Sequence, residues 1–255
     1  MAIKKPINAP LISIVTPCYN SAAYIEATVK SIKNQSITDW ELLLVDDGSI
    51  DQTLQIISKL AAEDARISYF RQPENKGPAA ARNLGIKKAK GDYLTFIDAD
   101  DLWFPQFLER SLEATRKHAF VFSSYQRLDE NLQPYLSDFI VPKRVSYTDI
   151  LKSNSISCLT AFIDISQLGK KYMPLIKKRQ DMGLWLQYLK QTGFAYGIQE
   201  PLAVYRIRKN SLSRNKAALL KYQWQFYREF AELNPIQSAY YMACWAYNGF
   251  VKYRN

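Results

Sequence analysis

The chain has 255 residues, of which 47% are hydrophobic and 23% charged, and carries a net charge of +10. That is ordinary for a folded protein with a substantial core, and no run approaches the roughly 20 apolar residues that a membrane span needs. Cys18, Cys158 and Cys244 are odd in number, far apart and without a CxxC, which predicts free thiols in a reducing compartment and argues against zinc or a disulfide framework.

Met1 to Pro6 has no apolar core of a signal peptide, so no export is expected. Leu11 to Val15 reads as the first strand and ends at Thr16-Pro17. From Asn20 or Ser21 to about Gln35, Ile25, Val29 and Ile32 recur at helical spacing. Glu41 to Val45 is the second strand, followed by Asp46-Asp47-Gly48-Ser49. Ser49 and Gln52 match the S-x-x-Q capping box, which predicts a helix burying Leu54, Ile57 and Ala61. Ile67 to Phe70 is a shorter strand. Gly77-Pro78 opens a helix with Pro at its first position, and Gly91 closes it. Tyr93 to Ile97 is the fourth strand. This βαβαβαβ order predicts an α/β fold: a mostly parallel, doubly wound sheet, helices on both faces, and ligand sites at the strand tips.

The rest is less regular. Pro105 to Lys117 reads as a helix and Ala119 to Phe122 as a strand. Asp129 to Pro142 is a loop or hairpin. Leu159 to Ile163 and Ala203 to Tyr205 are further strands, separated by a helix from Met182 to Gln191. From Lys216 the pattern is helical, broken once at Asn234-Pro235. Without repeats or a clear linker, the expectation is one catalytic domain, 1–215, and a C-terminal helical extension, 216–255.

Chemistry concentrates at the strand tips. Asp98, Asp100 and Asp101 crowd the end of an apolar run and repel one another unless a cation or solvent relieves them. Asp98 and Asp100 are spaced to share a hard divalent metal with phosphate oxygens. They could equally cap the helical run that Leu102-Trp103-Phe104-Pro105 opens, and on this stretch alone metal and caps stand level. Acids at neighbouring tips suit a nucleoside diphosphate: carboxylates meet base and ribose while a metal neutralises phosphate. The phosphate cradles G-x-x-x-x-G-K-[ST] and G-x-G-x-x-G are missing at the first strand, which argues against a phosphoryl-transfer ATPase or a dinucleotide enzyme.

Four motifs then stand in register. Thr16-Pro-x-Tyr-Asn20, Val45-Asp-Asp-Gly-Ser-x-Asp51, Gly77-x-x-x-Ala-Arg82-Asn83-x-Gly85 and Asp98-x-Asp100-Asp101 resemble, in order and spacing, the family 2 glycosyltransferases over roughly residues 10 to 210. The resemblance extends to bacterial enzymes of cell-surface polysaccharides, including teichuronic acid and capsule transferases. It implies the nucleotide-sugar-binding fold usually called GT-A and an inverting transfer from a UDP-sugar to a saccharide or lipid-linked saccharide. Thr16, Pro17, Tyr19 and Glu26 would line the nucleoside site, with Asp47, supported by Asp46, meeting uracil. Lys76 and Arg82 would lie close by. Asp98 would face ribose or donor sugar and share with Asp100 the binding of Mn²⁺ or Mg²⁺.

The family typically carries an acidic pair opening a helix with a Leu-Trp continuation. Here the run is Gln180-Asp181-Met-Gly-Leu184-Trp185, so the resemblance implies Asp181 as the base for the acceptor hydroxyl, with Gln180 a departure from Glu. Arg208 stands where many relatives have a His near the metal or diphosphate; an arginine cannot ligate metal, but it can grip phosphate. His118, the single histidine, reads as a helix-end charge.

Val204 to Arg228 holds seven Lys or Arg and no acid, and aromatics crowd Tyr222 to Tyr253. Such composition suits an anionic membrane interface. Packing on the catalytic domain or on a second subunit explains it equally. The expected location is cytoplasmic, with this segment as the candidate attachment to the inner membrane's cytoplasmic face. Competing readings are a sugar nucleotidyltransferase and a non-catalytic lipid or nucleic-acid binder. The first lacks its glycine-rich loop; acid-lined tips suit a phosphate backbone poorly, so no nucleic-acid partner is expected.

Overall fold

The computed structural model describes residues 11–208 and 216–252. The segment read for a signal peptide, Ser211 of the Arg208 motif, the boundary after Asn215, Tyr253 and the Phe250 side chain lie outside the described residues.

Strands β1 (Ile12–Cys18), β2 (Trp40–Asp46), β3 (Ile67–Arg71) and β4 (Tyr93–Phe96) alternate with helices α1 (Ile25–Lys33), α2 (Thr53–Glu63) and α3 (Pro78–Lys88). β1 and β2 are buried along nearly their whole length, which is why both read as unbroken apolar runs. β1 pairs in parallel with β2 and β4, and β2 with β3. Their carboxyl ends therefore open on one edge of the sheet. Neighbouring residues serve opposite faces: Ile14 and Leu42 join one apolar cluster, Val15 and Leu43 the other.

Beyond β4 the chain forms β5 (Leu102–Trp103), α4 (Phe107–Thr115), β6 (Phe120–Asp129), β7 (Pro134–Phe139), β8 (Arg144–Ser146), α5 (Tyr147–Lys152), β9 (Phe162–Asp164), α6 (Ile165–Leu168), α7 (Gln180–Thr192) and β10 (Phe194–Ile207). The sheet order is β3-β2-β1-β4-β9-β6-β10-β5, with β7 on β6 and β8 on β10. β9 runs antiparallel between β4 and β6, while β6 and β10 are parallel. Beyond 215, α8 (Lys216–Gln225), a π-turn at Phe226–Phe230 and α9 (Pro235–Lys252) follow. Among the described residues no helix is long and apolar enough to cross a membrane.

Several local expectations change. Ser49 caps nothing: α2 starts at Thr53 with no side-chain cap, because the Ser49 hydroxyl is taken by the Asn20 backbone. Gly91 does not end α3, which stops at Lys88. It lies where a Cβ would come within 2.7 Å of Ser13 N, so glycine admits the approach of β1. Leu102-Trp103 does not open a helix; it pairs antiparallel with Val204 and Ala203 of β10. Cys158–Thr160 is a 3₁₀ turn rather than strand, and the 129–142 segment is a hairpin of β6 and β7.

Candidate active site

The first two strand tips are tied together by the chain leaving them. Asp47 N donates to Cys18 O at 2.8 Å, Asn20 N to Ser49 Oγ at 3.0 Å, and Ile50 N to Asn20 Oδ1 at 3.0 Å. Asn20 does this at φ 46°, in the left-handed region that asparagine tolerates. Thr16 is fully buried, Pro17 half-buried and Tyr19 exposed. Glu26 is exposed on the first turn of α1.

The acids of the second tip face inward. Asp46 is fully buried; its Oδ1 accepts from Ser49 N at 3.3 Å, and Arg71 Nε lies 3.9 Å from Oδ2. Asp47 accepts from Gln72 Nε2 and Lys76 N, both at 2.8 Å, on one oxygen, and from Gly77 N at 2.9 Å on the other. Burial, helped by Asp46, raises its carboxyl above the ordinary range against the pull of these bonds. The carboxylate thus holds the 72–77 loop. Gly48 permits the closure: at φ +74° its absent Cβ would meet the backbone of Glu74 and Asn75 at 2.9 Å. The Lys76 ammonium is half exposed, 3.7 Å from Glu74.

The three acids after β4 occupy three environments. Asp101 is buried, and its Oδ1 accepts from Arg206 N at 2.9 Å. Burial, then Asp100 and Asp98, hold its carboxyl well above the usual range, so it is a brace to β10. Thr28 Oγ1 braces the same turn, donating to Ala99 O at 3.0 Å and Asp101 O at 2.9 Å. Asp98 pairs with Arg82 of α3, and Asp100 with Arg208, Nε to Oδ2 at 2.8 Å. Arg206 and Arg208 both lie over the Tyr24 ring, 4.8 and 5.6 Å from its centroid. None of the three acids caps a helix, since α4 begins only at Phe107.

Arg82 connects this cluster to Asp181. Burial alone would lower the pKa of this guanidinium, but Asp98, Cys158 and Asp181 hold it above its ordinary value. Asp181 lies in the first turn of α7 and accepts from Asn154 Nδ2 at 3.1 Å. The helix is entered through Arg179 at φ 69°, whose guanidinium sits over the Trp245 ring of α9, 5.4 Å from its centroid.

Tyr24, Asn154, Cys158 and Arg206 also belong here and were not among the residues expected from sequence. Asn154 lies in irregular chain and Cys158 opens a single 3₁₀ turn, neither with a periodic signal, and only tertiary pairing brings Tyr24 to the two arginines.

Among the described residues no three His, Cys, Asp or Glu side chains converge as a metal cage. Two carboxylates do suit a hard dication whose remaining positions are taken by diphosphate and water. Burial and the Asp98 charge raise the Asp100 carboxyl despite Arg208 beside it, and a dication would relieve that crowding. Asp98 and Asp100 side chains keep 34% and 18% of their surface exposed, enough to reach such an ion.

A sequence model described as glycosyl transferase family 2 matches residues 13–165, more than half of the chain. A Bacillus subtilis (strain 168) protein described as a teichuronic acid biosynthesis glycosyltransferase, TuaG, is 41% identical over 95% of this chain and 97% of its own. The Escherichia coli UDP-Glc:alpha-D-GlcNAc-diphosphoundecaprenol beta-1,3-glucosyltransferase WfgD is 34% identical over 91% of this chain and 90% of its own. Among solved structures, S. aureus TarS 1-349 in complex with UDP-GlcNAc superposes with a TM-score of 0.70 at 18% identity, covering 92% of this chain and 71% of that one. The mannosyltransferase PcManGT from Pyrobaculum calidifontis, in complex with GDP-Man and Mn²⁺, gives 0.64 at 18% identity over 95% and 71%. These two establish the fold as GT-A. With the family match spanning the strand-tip acids and curated relatives aligning almost end to end, the chain belongs to the family 2 glycosyltransferases.

Proposed function

We propose that this glycosyltransferase takes its sugar from a UDP-sugar and passes it, with inversion, to a lipid-linked or polymeric saccharide of a bacterial cell-surface polysaccharide, at the cytoplasmic face of the membrane. The observation that carries the reading is the row of acids at neighbouring strand tips, Asp46 and Asp47 after β2 and Asp98 and Asp100 after β4, with Arg82 paired to Asp98 and Arg208 to Asp100.

In this reading Tyr19 offers an exposed ring to the base. Thr16, Pro17 and the fully buried Asp46 shape the pocket wall, and Glu26 borders it. Asp47 holds the 72–77 loop with three of a carboxylate's roughly four acceptor directions and keeps one for uracil. Lys76, on that loop, supplies positive charge near the phosphates. Asp98 and Asp100 would hold Mn²⁺ or Mg²⁺, which when bound offsets the charge gathering on the leaving diphosphate. Arg208 supplies a guanidinium able to grip phosphate on two oxygens.

The acceptor hydroxyl oxygen forms its bond to the anomeric carbon as the bond from that carbon to the diphosphate breaks. The hydroxyl proton passes to Asp181, which Asn154 orients, and UDP leaves. Arg208, which pairs with Asp100 and stands where many relatives have a histidine, leaves nucleotide binding itself independent of a histidine ligand.

A panel of UDP-sugars, screened for donor hydrolysis and for a rise in melting temperature, tests the proposal. One or a few donors should be hydrolysed slowly and stabilise the protein. A protein that neither binds nor turns over any UDP-sugar would refute it.

A further inference from the structure

The structure holds a groove of about 530 Å³ lined by residues that the donor chemistry leaves unused. The β7–β8 connection forms one wall and α5 the other. Asn248 of α9 also lines it, and its Nδ2 donates to Lys152 O at 3.3 Å. Ser153 and Ser155 line it as well. They are the two chain neighbours of Asn154, whose amide holds Asp181, so the lining flanks the residue that orients the base.

The lining has two characters. Phe139, Ile140, Pro142 and Val145 give an apolar wall, with Ile140 52% exposed. Arg144 and Lys152 add two cations, the Arg144 guanidinium lying over the Phe194 ring, 3.7 Å from its centroid. The single lining carboxylate, Asp149, accepts from Ser146 N at 3.0 Å and Ser146 Oγ at 2.6 Å in the cap of α5. Its lone pairs are therefore partly committed, and although Lys152 bears on the same carboxylate, the lining holds one more cation than anion. Cations set against exposed hydrocarbon match an anion joined to an alkyl chain; an uncharged glycan would use neither.

We propose that this groove takes the diphosphate-lipid end of the acceptor. The diphosphate meets Arg144 and Lys152, the chain lies on the apolar wall, and the first sugar reaches past Ser153 and Ser155 toward Asp181. This rests on the transferase reading above and gives its acceptor a location. It also gives α9 a part in the site, through Asn248.

Isothermal titration of the full chain with farnesyl diphosphate, at saturating UDP, tests it, with inorganic diphosphate and farnesol as partial probes. Farnesyl diphosphate should bind in the presence of UDP and more tightly than either partial probe. Arg144→Gln with Lys152→Gln should weaken it by on the order of tenfold, the scale of one or two lost charge-assisted contacts. Arg144→Lys should restore most of the loss, and the melting temperature guards against misfolding. Displacement of the probe by UDP, full affinity in the double variant, or equal displacement by phosphatidylglycerol vesicles would each overturn the assignment. UDP affinity, measured on the same samples, reports on the transferase reading separately.

Discussion

Asp181 and Asp100 differ in what removing a single charge should do. Asp181→Asn keeps the size of the side chain and an oxygen to accept from Asn154, but loses the proton acceptor. General-base loss costs roughly 10²–10⁴-fold in rate. Donor binding should stay near normal, because the hydrogen-bond partner of Asp181 is Asn154 and not one of the strand-tip acids. Equilibrium UDP-sugar binding and single-turnover transfer on one preparation would reveal this split; wild-type transfer would return Asp181 to a plain helix-start acid. For Asp100→Asn the loss should fall on binding instead. Titrating UDP with and without Mn²⁺ should show the metal-dependent gain in affinity vanish while the fold survives. An unchanged gain would remove Asp100 from the metal site.

At the scale of elements, the first half was legible because its signals are local. A buried parallel strand is an apolar run, and Gly77-Pro78 starts α3 without help from elsewhere. The second half was not, because its strands depend on distant partners. Leu102-Trp103 becomes β5 only where β10 passes, and β9 turns antiparallel between β4 and β6. The capping box at Ser49 failed for a related reason: a hydroxyl free to cap in the local sequence is claimed by Asn20 across the sheet. The strand-tip acids could be listed from sequence, yet their division into brace, arginine partner and loop anchor could not, since burial decides it. Gly48 illustrates how two elements meet at such a tip. Gly48→Ala places a Cβ against the 74–75 backbone at a positive φ, a conformation costing about 1–2 kcal/mol for an L-residue before the contact is counted. The variant should melt lower and bind UDP more weakly, because the loop held by Asp47 must move. Unchanged UDP affinity in a folded variant would detach that loop from the nucleotide site.

For the whole molecule, the aromatics of the C-terminal segment divide into a packed set and an exposed set. Phe226 and Tyr227 are core: both are buried, and the Tyr227 hydroxyl donates to Leu151 O at 2.5 Å. Deleting the segment would open the core beside α5 and α7, with losses of roughly 3–5 kcal/mol for one large aromatic alone. A truncated chain would therefore fail in any assay by unfolding. The outer face of α9 is different. Ile236, Tyr240 and Tyr247 are 82%, 56% and 70% exposed and follow one another at four- and seven-residue spacing, a single stripe. On a chain of net charge +10, such a stripe suits the interface of an anionic bilayer, with rings at headgroup depth. Tyr240→Ser with Tyr247→Ser should abolish sedimentation with anionic vesicles and leave the melting temperature within about a degree, because surface substitutions away from packed features cost little. Binding of the parent chain should weaken as salt screens the attraction. Equal sedimentation of parent and double variant would remove the α9 stripe from membrane attachment, and a salt-insensitive parent would remove the charge.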